Sequence, residues 1–65
     1  AITFNAANEV AVEAFLAERL SFLNISVVIK AALDAAETSE LHSLDDVLAC
    51  DIAARALTQR ILTNL

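Results

Sequence analysis

Sixty-five residues contain no glycine and no proline. Average usage would place roughly eight such residues in a chain of this length. Two-residue hairpins need residues that tolerate positive φ, and many tight turns lean on the fixed φ of proline. A chain with neither lacks the usual means of reversing a strand. Helices remain. Hydrophobic residues make up 58% of the chain, and much of that is alanine, the best helix former. The expected fold class is all-α: three helices joined by short loops and packed as a small bundle.

Length sets a second bound. One domain is the most that 65 residues can make. A domain this small buries only about 60% of its unfolded surface and is marginal alone. Small scaffolds recover stability from a disulfide, a metal or a partner. One cysteine excludes an internal disulfide, and no Cys/His spacing suits zinc. A partner is what remains. The chain also contains no methionine, so it reads as a piece of a longer polypeptide.

Charge excludes further classes. The net charge is -5. No basic footprint suits nucleic acid, and no polybasic face suits anionic lipid. No apolar run approaches the ~20 residues of a membrane span. The N-terminus lacks the basic start and apolar core of a signal peptide. A lone cysteine in an acidic chain fits a reducing, cytoplasmic compartment.

Along the chain, residues 1–4 read as an extended linker, with Asn5 as N-cap of a helix over 5–19. Ala7, Val10, Ala11, Ala14 and Phe15 recur at helical spacing and form one apolar face. Glu9 and Glu13 then lie toward the positive end of that helix, and Arg19 toward its negative end. A second helix spans 23–37, with Ile25, Val28, Ile29, Ala32, Leu33 and Ala36 as its stripe. Lys30 and Asp34 face outward and can pair. Residues 37–42 are polar and form the clearest loop. Ser43 caps a third helix over 44–64, with Asp46 at N3 in an acidic variant of the capping box. Val47, Cys50, Ala54, Leu57, Ile61 and Leu65 form its stripe, which Leu44, Leu48 and Ile52 widen. Asp51 precedes Arg55 by one turn, the favourable order for an ion pair. These apolar faces are wider than three helices can cover in mutual contact, which implies a further neighbour.

Four constellations bear on chemistry. Glu9 and Glu13 lie one turn apart, as in di-iron bundles, but the Glu-x-x-His partner of those sites is missing. A solvated face is the commoner meaning of such a pair. His42 adjoins Ser43, yet neighbours in sequence do not make a catalytic dyad, which needs a third orienting group. Cys50 lies on the apolar stripe and reads as a small core hydrophobe. Finally, Leu41-His42-Ser43-Leu44 with Asp45 and Asp46 looks locally like the phosphopantetheine-bearing serine of acyl carrier proteins. The glycine of that setting is absent, and Ser43 as a plain helix cap explains the same residues. No phosphate loop, dinucleotide fingerprint or metalloprotease motif is present. No catalytic, cofactor-binding or metal-binding residue is assigned.

Three segments, in order, resemble one family. Asn5-Ala6-Ala7-Asn8-Glu9, with Val12, Ala14, Phe15 and Leu16, resembles the Asn-Ala-Ala-Asn-Glu helix of the 1-deoxy-D-xylulose 5-phosphate reductoisomerases. Leu20-Ser21-Phe22-Leu23-Asn24-Ile25 is similar to that family's Ile-x-Phe-x-Asp-Ile step between helices. Leu44-Asp45-Asp46-Val47-Leu48, then Asp51, Ala54 and Arg55, resembles its closing Asp-Asp-Val-Leu helix. Together they cover nearly the whole chain. Asn24 departs from the family's aspartate, and Glu18 from its small or polar turn residue; both bear on capping alone.

The resemblance implies a parent enzyme with an NADPH-binding domain, a catalytic domain and a C-terminal helical domain. That parent isomerises 1-deoxy-D-xylulose 5-phosphate and reduces it with NADPH and a divalent metal (Mg or Mn). The product is 2-C-methyl-D-erythritol 4-phosphate, on the methylerythritol phosphate route to isoprenoids. The family's metal carboxylates, phosphate-binding residues and lid lie in the catalytic domain, so none maps onto this chain. The resemblance further implies a homodimeric parent and a four-helix terminal domain, of which residues 1–65 hold the last three helices. Scaffolding against the rest of the enzyme is the implied role, with Asn5, Asn8 and Glu9 as interface or capping residues. Self-association would follow from apolar faces left uncovered. The alternative is a free-standing helical interaction module or an acyl-carrier-like protein.

Overall fold

The computed structural model describes residues 1–36 and 40–65. Three helices make up the described chain: α1 (Ile2–Leu16), α2 (Phe22–Ala35) and α3 (Leu44–Thr63). No strand occurs among the described residues. This is the all-α small bundle that the missing glycine and proline call for. α1 is central, packing on both α2 and α3, which touch each other less.

α1 has the expected length but starts three residues earlier than the sequence suggests. Residues 2–4 are its first turn, not an extended linker, and the Asn5 N–H donates to the Ala1 carbonyl at 3.0 Å. Asn5 is therefore not the cap; Ala1 holds that position without any side-chain bond. Nothing between Ile2 and Phe4 interrupts a helix. Ile2 and Thr3 are also half-buried, so tertiary packing outweighs the capping preference of asparagine. The shift removes the dipole role expected of Glu9 and Glu13, since no acidic residue falls in the first turn of α1.

The other end of α1 moves too. The helix stops at Leu16, and Arg19 lies beyond it rather than in its last turn. Glu18 adopts a left-handed φ of 61°. Its N–H donates to the Phe15 carbonyl at 3.0 Å, and the Arg19 N–H donates to the Ala14 carbonyl at 2.8 Å. These are the paired bonds of a Schellman motif, which normally takes glycine at the left-handed position. The motif escapes a reading that looks for glycine.

α2 runs from Phe22 to Ala35 rather than over 23–37, and Ala36 turns extended at ψ 137°. Glu37 and most of the polar loop, residues 37–39, lie outside the described residues. α3 ends at Thr63, with Asn64 as its C-cap. Its N-terminus is built as the sequence indicates: Ser43 Oγ accepts from the Asp46 N–H at 3.2 Å. The return bond differs. The Asp46 carboxylate accepts from the His42 N–H at 2.9 Å, one residue upstream of the N–H that a capping box uses.

Alanine dominates the interior. Ala6, Ala7, Val10, Ala11 and Ala14 of α1 are buried with Val28 and Ala32 of α2 and Ala54 and Thr58 of α3. Leu20 closes the α1–α2 corner, and Ile25, Ile29, Ile61 and Leu62 pack around the cluster in partial burial. The largest fully buried side chains are only Val28 and Thr58. Small side chains bring helix axes close but bury little apolar area each. Thr58 is absent from the apolar pattern because its Oγ1 is satisfied within the helix, donating to the Ala54 carbonyl at 2.7 Å.

The large apolar residues lie outside. Leu33 and Leu65, placed on core stripes by their spacing, are 44% and 62% exposed. Leu44, Leu48 and Ile52 of α3 are 72%, 53% and 68% exposed, and Leu16, Phe22, Leu23 and Val27 crowd the outer surface near the α1–α2 corner. This agrees with apolar faces wider than three helices can cover. The molecule measures 37 × 19 × 17 Å, too slender to enclose both sets of residues.

Candidate functional site

The Asn5–Glu9 segment lies along α1, burying Ala6 and Ala7 in the core, and among the described residues its one tertiary side-chain hydrogen bond is made by Glu9. Arg55 of α3 donates through Nη2 to Glu9 Oε2 at 2.5 Å. Through Nε it donates to Asp51 Oδ2 at 2.8 Å. Asp51 lies one turn before Arg55, so the local pair expected from sequence aims the guanidinium, and Glu9 receives its other edge. Among the described residues, this is the one ion pair that joins two different helices. Hydrogen bonds to Asp51 and then to Glu9 hold the Arg55 pKa above its ordinary value, so it stays charged at any working pH. The Arg55 side chain is 41% exposed, which places the cluster at the rim of the α1–α3 contact.

Sequence reasoning found the Asp51–Arg55 pair and missed its long-range half. A usable signal was present. Glu9 directly precedes Val10, and Arg55 directly follows Ala54, so each flanks a buried position. Charges that flank core positions on two packed helices meet at the rim of the contact. Asn5 and Asn8 are exposed and make no side-chain hydrogen bond among the described residues. On the outer face of α2, Lys30 Nζ donates to Asp34 Oδ2 at 2.6 Å. That bond raises the Lys30 pKa.

The remaining candidates separate in space or serve structure. No group of three His, Cys, Asp or Glu side chains among the described residues could hold a metal ion. Glu9, one half of the sequence's carboxylate pair, is engaged by Arg55. His42 Nε2 lies 3.2 Å from Glu40 Oε2, both side chains largely exposed, and Ser43 Oγ serves as the α3 cap. The two neighbours form no dyad. The same cap occupies the hydroxyl that a carrier protein would modify.

Cys50 needs correction. It is half-buried rather than a core residue. It lines a groove of about 500 Å³ between Thr3 of α1, the Ala35–Ala36 end of α2 and Ala49 and Ala53 of α3. α2 stops at Ala35, so it does not cover the second turn of α3. The lining is mainly apolar, and no base stands beside the thiol in hydrogen-bond contact among the described residues.

A three-helix scaffold tied by Glu9 and Arg55 thus carries both conspicuous ends of the sequence, the Asn-Ala-Ala-Asn-Glu run and the Asp-Asp-Val-Leu helix. Residues 1–57 match the family model described as the DXP reductoisomerase C-terminal domain. The chain belongs to that family. It is 45% identical over 64 residues to the 1-deoxy-D-xylulose 5-phosphate reductoisomerase of Ehrlichia ruminantium (strain Gardel), covering 98% of this chain and 16% of the relative. Against the enzyme of that name from Burkholderia multivorans, identity is 52% over 60 residues, covering 92% of this chain and 15% of the relative. Against that from Gluconobacter oxydans it is 56% over 57 residues, covering 86% and 14%. The chain therefore spans about a sixth of the length of the curated relatives it matches. With this family assigned, the free-standing carrier reading has nothing left to support it. Among the described residues, no helix is long and apolar enough to cross a membrane.

Proposed function

We propose that this reductoisomerase C-terminal domain acts as a non-catalytic scaffold within an enzyme that converts 1-deoxy-D-xylulose 5-phosphate to 2-C-methyl-D-erythritol 4-phosphate. The family match over residues 1–57 carries the reading. The chemistry needs a hydride donor and an electrophilic metal. The described residues contain no cluster of three metal-ligating side chains, and the chain has no glycine of the kind a phosphate-cradling loop uses. NADPH and the Mg or Mn ion belong, in this proposal, to the remainder of the parent polypeptide. So do the fourth helix of the terminal domain, the homodimer contact and the cytoplasmic location.

The domain's own contribution is geometric. Glu9 and Arg55 register α1 against α3, and the Leu16–Phe22–Leu23 corner offers apolar surface to the rest of the enzyme. A group that only positions a scaffold changes stability before it changes chemistry. The test is Arg55→Met in the full-length reductoisomerase, measured by NADPH oxidation and by thermal melting. Scaffolding predicts a lowered Tm, with KM for the substrate and kcat within about twofold below the melt. An unchanged Tm with a large fall in kcat would place Arg55 in the chemistry and overturn the reading.

A further inference from the structure

We draw no further inference here: the strongest candidate, the mainly apolar groove that Cys50 lines between Thr3 of α1, the Ala35–Ala36 end of α2 and Ala49 and Ala53 of α3, is an open recess in a chain that spans about a sixth of its relatives, and nothing in the structure shows what covers it.

Discussion

Glu18 shows what a glycine-free chain costs itself at the level of one residue. A non-glycine residue at φ 61° sits in a region that disfavours a Cβ by roughly 1 kcal/mol or more. Glu18→Gly is expected to raise stability by about 0.5–1 kcal/mol, since the added unfolded-state freedom of glycine offsets part of the gain. A shift of the urea midpoint at constant m-value would register it; an unchanged midpoint would show that the turn is not held left-handed in solution. Thr58 teaches a related lesson. Its hydroxyl bonds only within α3, so Thr58→Val preserves shape and leaves no polar group unmatched. A change within about 1 kcal/mol in either direction is expected on chemical unfolding. Overpacking is different. Ala11 is fully buried at the α1 contact, and Ala11→Leu should cost about 1–3 kcal/mol.

At the scale of elements, the periodicity of the chain located each helix, and the helix ends were the harder part. The α3 start was legible because its cap is chemically explicit in Ser43 and Asp46. Ser43→Ala should cost about 1 kcal/mol and fray the first turn, whereas Ser43→Asp should hold it. Amide hydrogen exchange at residues 44–47 would distinguish these. The α1 start was not legible, because it depends on tertiary packing of Ile2 and Thr3, which outweighs the local preference of Asn5. The α1 stop was hidden by a glutamate in glycine's place. The candidate site was half legible. A local Asp51–Arg55 pair has a sequence signature, whereas a partner on α1 is fixed only once two helices cross. The Lys30–Asp34 pair on α2 gives a pH signature. Its lysine pKa is raised in the fold, so the pair's contribution is complete below the ordinary lysine value of about 10.4. It declines as pH rises through the higher folded value. Alkaline titration of Lys30→Gln against the parent sequence should show the difference between them shrinking above that point.

For the whole molecule, the distribution of side-chain size inverts the usual order. Alanine and valine fill most of the centre, with Leu20, while many of the larger apolar residues, among them Leu16, Phe22, Leu23, Leu44 and Ile52, face outward. Helices that meet through alanine interlock closely, which explains how so short a chain holds three of them together. The same arrangement has a calorimetric consequence. The heat capacity of unfolding tracks the apolar surface that water gains, and ordinary domains average about 12–15 cal/mol/K per residue. A bundle with many of its large side chains already facing water has less to gain. Scanning calorimetry of the dilute chain should return a value below that range, together with a broad melt. Its stability curve should be unusually flat, so warming and cooling change its folded population gently instead of across a sharp threshold.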